Sequence, residues 1–379
     1  MNGTKSVYWT WLTFLGIAII AGLVTTFRLL TEGHVLFNAN DVLLWTLPLG
    51  TYIYLALMSS GLAILSAIPL VLGNKKYEPI AKRLVFLSIA TLFGAFVAIG
   101  LELGSIFHMI YIILSPNLTS PIWWMGAIYS VELVLLIVKF WRMHVGDWYS
   151  ATSKTLGVIS TLCAIFAPLM IGAVFGITES RVTFFGPLMS VYCLLIALLS
   201  GFALFIFYST IYHYVTGAGV LQKEASLYNE LGKGFLYVTG VVVLFTILKA
   251  TIEEWSIYPE FLSYHMFKHA FGAWQIFHTE VLLGLVLPFI LIAVPAIRRS
   301  SAGKLVSSAL LLAGILAIHM EILLAGQSRP VGPKAEQFPE FASYAPSILE
   351  WLVFVFAIAI MLLLYTLGER YLKLEATPE

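Results

Sequence analysis

Charge is scarce in this chain. Lysine, arginine, aspartate and glutamate together make up 11% of its 379 residues, and the formal net charge is +1. There is no basic field to meet a phosphate backbone, which excludes a nucleic-acid partner. Cysteine is scarcer still: Cys163 and Cys193 both lie inside apolar runs, and no Cys-x-x-Cys spacing occurs. Two thiols are too few to hold an iron-sulfur cluster, so none is expected on this chain. A cleavable leader is not expected either. The first apolar stretch, near Val7–Leu30, is too long for a signal-peptide core and has no small-residue cleavage site, so it should stay as a helix.

Apolar residues are abundant. They make up 60% of the chain, more than a soluble domain can bury, which predicts a polytopic membrane protein. Trp9, Trp11, Trp45, Trp123, Trp124, Trp141, Trp148 and Trp255 fall near the ends of the apolar runs, as an interfacial belt does. Runs of roughly 20 residues or more predict ten helices, near 7–30, 43–72, 81–114, 121–143, 154–177, 186–215, 231–254, 270–297, 304–326 and 346–371. Basic residues orient them. With the N-terminus inside, only Arg28, Arg181, Lys249, Lys268, Arg329 and Lys334 of the 21 lysines and arginines fall outside. Both termini are then cytoplasmic, in agreement with an even helix count, and the chain is expected in the cytoplasmic (inner) membrane.

The apolar runs repeat. IYSVELVLLIV (128–138) is matched by IFHTEVLLGLV (276–286), which aligns Glu132 with Glu280. PLGTYIYLALMSSGLAIL (48–65) is echoed by PLMSVYCLLIALLSGFALF (187–205), and VISTL (158–162) more weakly by LVSSA (305–309). The offsets span four helices, an even number, so the two copies share one orientation. The fold expected is all-α: two parallel-repeat four-helix bundles, 43–177 and 186–326, with flanking helices and loops at 1–42 and 327–379.

Each bundle thus places a carboxyl, Glu132 or Glu280, about ten residues below the outer surface, roughly 15 Å deep and near mid-membrane. Other polar residues fall within the spans: Glu102 and His108 in the third, Lys249, Glu253 and Glu254 at the outer end of the seventh, His278 beside Glu280, and His319 and Glu321 in the ninth. A charge in hydrocarbon costs several kcal/mol, so these side chains should face protein or water and find partners. Glu253 and Glu254 are expected to be interfacial, and Lys139 in the fourth span to snorkel to the inner interface. His319 reads equally as a packed helix residue and as a functional one. For Glu102, Glu132 and Glu280 a proton-handling role is favoured over packing.

The run LELGSIFHMIYIILSPNLTSPIWWMGA (101–127) resembles a signature of the NrfD/PsrC family, the polysulfide reductase membrane subunits, in Leu103, Gly104, His108, Leu114, Pro116, Asn117, Ser120, Pro121 and Gly126. EVLLGLVLP (280–288) and AGQ (325–327) are similar to that family too, and ten spans suggest its longer branch. The acidic residue is Glu102 where the family has Asp, and Ser105-Ile106 replace its Arg-Pro. Lys249, Arg181 and Arg28 are the cations left to substitute for that arginine. The resemblance implies a quinone-binding membrane subunit of a respiratory oxidoreductase, using menaquinone or ubiquinone. It also implies a ferredoxin-like iron-sulfur subunit on the outer face, with a molybdenum or nickel-iron catalytic subunit beyond it. His108 is then expected to bond a quinone oxygen with Glu132 and Tyr129 nearby. Glu102 would lie beside them, and Glu102, Glu280, Glu321, His278 and Lys249 would form a wider proton path.

Two other readings compete. A haem b anchor needs axial histidines at matching depth on facing helices; His278 and His319 offer one such pair, and the pattern of two histidines on each of two helices is absent, so no haem is expected. A proton-coupled transporter fits the repeats and the buried carboxyls, but its usual sign, helices broken at midspan, is not read in the fourth or eighth span.

Overall fold

A computed structural model describes residues 2–181, 185–216, 222–254, 279–333, 335–339, 341–375 and 377–378. Ten long elements follow one another: α1 (Asn2–Glu32), α2 (Leu47–Leu70), α3 (Glu78–Glu102), α4 (Pro121–His144), α5 (Ala151–Gly176), α6 (Leu188–Thr216), α7 (Gln222–Glu254), α8 (279–293), α9 (Ser301–Ser328) and α10 (Ile348–Tyr371). Among the described residues nine are long and apolar enough to cross a bilayer. The tenth, α8, is the inner part of the expected span 270–297, whose outer part lies outside the described residues. The protein is an all-α integral membrane protein. Local sequence sets several helix starts: Ser150 and Ser300 accept backbone N–H groups from Ser153 and Gly303, and Ser347 forms a capping box with Glu350.

The helices pack as two rings. In the first, α2 and α4 each pack against both α3 and α5; in the second, α6 and α8 each pack against both α7 and α9. The rings meet where α2 crosses α6. There a Cβ on Gly61 would strike the Ala197 carbonyl, and one on Gly201 would lie 2.5 Å from the Gly61 carbonyl carbon. Only glycine permits backbones this close, the small-residue device of membrane helix pairs. Gly61 and Gly201 hold the same place in the two echoed stretches, Ser60-Gly61 and Ser200-Gly201. Like positions that touch are what a two-fold relation puts at its axis.

Outside the rings, α10 packs on α3 and α1 on α10. Buried Arg83 ties α10 down from α3: its Nε is 2.9 Å from Glu369 Oε1, one Nη is 2.7 Å from Glu375 Oε1, and the guanidinium lies 4.6 Å from the Tyr212 ring centre.

Two expected spans are corrected. The third was predicted to run continuously over 81–114, but α3 stops at Glu102, Leu103 turns to extended backbone, and a short 3-10 turn (Ile106–Ile110) and a single turn (Tyr111–Leu114) follow. Hydropathy carried the expectation past Gly104-Ser105, where glycine's backbone entropy and serine's competing hydroxyl both disfavour a helix. The eighth was read as unbroken, but Leu282–Val286 form a π turn immediately before α8 continues at Leu287-Pro288. Pro288 has no N–H to donate, which leaves a helix carbonyl one turn earlier to be satisfied by a shifted register.

Candidate functional site

On α4 the buried residues are Tyr129, Glu132, Leu136, Lys139 and Met143. Their spacing of three and four draws one stripe down the helix, so the face that packs inward carries a carboxyl group and an amine. α2 supplies the opposite wall of the ring. Tyr52 meets Tyr129 edge-on with ring centres 6.2 Å apart. One turn deeper, Ser60 Oγ donates to Glu132 Oε2 at 3.4 Å. Deeper again, Lys139 Nζ donates to Ser66 Oγ at 2.9 Å, and Ser66 Oγ to the Ala63 carbonyl at 2.6 Å. Ser59 and Ser88 exchange hydroxyl-to-carbonyl bonds of 2.9 Å and lock α2 to α3 alongside. The core of the first ring is therefore polar through its central layers.

Glu132 and Tyr129 are both fully buried. Among the described residues, neither the Tyr129 hydroxyl nor Glu132 Oε1 has a hydrogen-bond partner. Buried polar atoms are nearly always bonded, so two orphans side by side mark a place built for a further polar molecule. On the outward surface of the same ring, α4 and α5 leave an apolar cleft of about 440 Å³, lined by Trp124, Ile128, Ile159, Leu162, Cys163 and others; neither Tyr129 nor Glu132 is part of its lining.

Lys139 was expected to snorkel inward. Instead it is 4% exposed and turned to Ser66. Helical side chains lean toward their helix N-terminus, and Lys139 sits near the C-terminal end of α4, so the lysine stem leads back into the core. Below it the Arg142–Asp147 ion pair and the Trp148 indole, bonded to the Met143 carbonyl, close the inner end.

His108 and Glu132 were expected in one pocket, and the structure does not bring them together. The early end of α3 leaves His108 exposed in the 3-10 turn that follows, with its ring centre 5.6 Å from that of Tyr111, while Glu132 lies buried within the ring. Glu102 is occupied elsewhere. Its Oε1 accepts the Thr46 N–H at 3.0 Å and its Oε2 the Thr46 hydroxyl at 2.8 Å. Gln327 Oε1 accepts the Leu44 and Trp45 N–H groups at 3.0 and 2.9 Å, and the Tyr344 hydroxyl accepts the Leu47 N–H at 2.9 Å while donating to Glu350 at 2.6 Å. These groups together satisfy the free amides that open α2, a helix N-terminus that favours acceptors and negative charge.

In the second ring Glu280 and Glu321 are both buried. His319 is 5% exposed, packed edge-on against Tyr54, with both ring nitrogens unbonded among the described residues. Lys249 Nζ lies 5.8 Å from the Tyr192 ring centre. His278 lies outside the described residues, as do the side chains of Glu253 and Glu254. Residue-by-residue reading missed Tyr52, Ser60, Ser66 and Ser160, because serine and tyrosine in an apolar run carry no charge to flag them. The stripe on α4 was the signal that would have turned Lys139 inward.

With this geometry in hand, comparison with known proteins identifies the lineage. The profile of the polysulphide reductase NrfD family matches residues 34–331. The chain belongs to that family. It is 24% identical to a Halobacterium salinarum protein provisionally named as the membrane subunit of a dimethyl sulfoxide reductase, over 97% of this chain and 92% of that one. It is 22% identical to a subunit of the selenate reductase of Mesobacillus selenatarsenatis, over 96% and 93%. An Hdr-like menaquinol oxidoreductase integral membrane subunit of Archaeoglobus fulgidus is 21% identical, over 84% and 81%.

Proposed function

We propose that this NrfD protein is the quinol-linked membrane subunit of an oxidoreductase complex, and that the lipid-soluble carrier reacts in the first ring at Tyr129 and Glu132. The observation that carries the reading is the pair of orphaned buried atoms, the Tyr129 hydroxyl and Glu132 Oε1, in a ring whose α4–α5 wall bears an apolar cleft on its outward surface. An apolar tail suits that cleft, and a ring bearing two oxygens needs one donor and one proton acceptor beside it, which tyrosine and glutamate supply. Bound quinol supplies two electrons and two protons. The hydroxyl of Tyr129 orients the ring by donating to one oxygen. Glu132 takes one of the two protons at Oε1, while Ser60 holds Oε2; the other leaves toward the outer surface, on the side where His108 stands.

The same reading assigns the partners. The electrons pass to an iron-sulfur subunit docked on the outer face and from there to a molybdenum or nickel-iron enzyme. His108, at the outer surface, serves as an exit for protons from that side. Glu280 and Glu321 belong to the second ring and its own proton handling, and both termini lie in the cytoplasm.

The test uses the purified complex with a short-chain menaquinol analogue. Tyr129→Phe should raise KM several-fold. Glu132→Gln should lower kcat by about 10²-fold or more, the scale of one lost general base, with the complex still assembled. Wild-type rates in both variants would refute the site.

A further inference from the structure

The inner half of the first ring has no place in the site just described, yet it is polar. We propose that it holds a file of water molecules linking Glu132 to the cytoplasmic side, with Lys139 as its proton-exchanging step. This inference rests on the functional reading above, since it gives the proton taken by Glu132 somewhere to go.

Depth is the first argument. Taking 1.5 Å per residue from the inner helix ends, Glu132 stands roughly 18 Å up α4, Ser160 roughly 14 Å up α5 and Lys139 roughly 8 Å up α4. The Lys139 amine is held at the level of Ser66, 2.9 Å from its hydroxyl, so water has to span the step from there up to Ser160. Ser160 is fully buried, and its hydroxyl has no partner among the described residues. Three orphaned polar atoms therefore share this ring: the Tyr129 hydroxyl, Glu132 Oε1 and Ser160 Oγ. Such groups are bonded to water when protein offers nothing, and buried waters typically bridge two to four of them. Ser60 and Ser66 on α2 add hydroxyls at the two ends of the gap.

The inner mouth is the second argument. Lys139, Arg142, Asp147, Trp148 and Ser153 border a small cavity of about 10 Å³ at the end of α4, on the scale of a single water. Asp147 is part-exposed there, so the cavity joins Lys139 to an acceptor in contact with the cytoplasm.

The third argument is a contrast between the rings. The matched positions of the second ring keep the carboxyl (Glu280) and the serine (Ser307, also buried with an unbonded hydroxyl), but have Leu287 for Lys139 and Ile206 for Ser66. A structural demand common to both copies would not single out the lysine. The inward route therefore belongs to the first ring.

Protons balance along it without further reactants. A proton leaving Glu132 Oε1 passes by water and Ser160 to the neutral Lys139 amine, and the resulting ammonium gives one up through the mouth beside Asp147. Uptake runs the same steps backwards. Lysine can take part because it can lose a proton, whereas arginine cannot.

The experiment places the whole complex in vesicles with a pH dye on each face and drives it with the short-chain quinol. Protons exchanged at the cytoplasmic face per electron should fall at least fivefold in Lys139→Met and in Lys139→Arg, and at least twofold in Ser160→Ala. Turnover should fall by a smaller factor. A wild-type ratio in Lys139→Met, or its restoration by arginine, would overturn the route and leave Lys139 a fixed countercharge. If the lysine variants do not assemble, Ser160→Ala decides alone, and an unchanged ratio there overturns it. Loss of quinol-linked turnover in the wild-type complex would instead refute the functional reading on which the route rests.

Discussion

Glu102 offers the sharpest separation of a structural carboxyl from a proton carrier. Both its oxygens are committed to Thr46, at 3.0 Å to the N–H and 2.8 Å to the hydroxyl. A hydrogen bond to a charged group contributes roughly 1.5–3 kcal/mol net. Glu102→Ala removes two and strands the Thr46 amide at the start of α2, so the loss should be about 3–5 kcal/mol. Glu102→Gln behaves differently. Its Oε1 can still accept the amide, and its Nε2 can donate to the Thr46 hydroxyl, which then accepts. Only charge assistance is lost, about 1 kcal/mol. The prediction is a large drop in the unfolding midpoint of the solubilised protein for alanine and a small one for glutamine. Glutamine, which cannot carry a proton, should also leave protons per electron at the wild-type value. A stable Glu102→Gln complex that has lost proton movement would refute the assignment of Glu102 to the α2 clasp and return it to the proton path.

Three further outcomes are expected. Gly61→Ala should cost roughly 1–3 kcal/mol by overpacking against the Ala197 carbonyl, and Gly61→Leu should prevent assembly, measured as recovery of monodisperse protein. Arg83→Met strands Glu369 in a nearly closed site, where both side chains are about 10% exposed or less; the cost should be about 3–5 kcal/mol, and adding Glu369→Gln should recover part of it. A hydrogen bond from Ser150, with Arg142 beside it, holds the Asp147 carboxyl below the usual aspartate range. Its contribution to the inner loop is therefore complete above about pH 4 and is lost only as pH falls through the lowered value. The hydrogen-exchange protection factor of that loop, which divides out the intrinsic rate, should fall on acidification below about pH 4 in the wild type, and Asp147→Asn should flatten the response.

Much of this fold could be read in advance because membrane crossing writes itself in long apolar runs. Nine of the expected spans are found among the described residues, and Glu132, Glu280 and Glu321, singled out as ionisable residues inside spans, are all buried. Helix ends were less visible, since hydropathy cannot see that Leu103 leaves the helix or that a π turn precedes Pro288. The candidate site was half legible. Glu132 stood out because a carboxylate in hydrocarbon demands a reason, and Tyr129 came with it. Ser60, Ser66 and Ser160 did not, since a hydroxyl is inexpensive to bury when it can bond its own helix. Lys139 was misread because a basic residue near a helix end usually reaches for water, and here the direction of α4 turns it the other way. His108 was joined to Glu132 through sequence proximity, which an unwound segment does not preserve.

The crossing of α2 and α6 has an evolutionary corollary. Gly61 and Gly201 each fill the space that a side chain on the other would need, so the two positions are constrained as a pair: a side chain gained at either is refused by the backbone of the other.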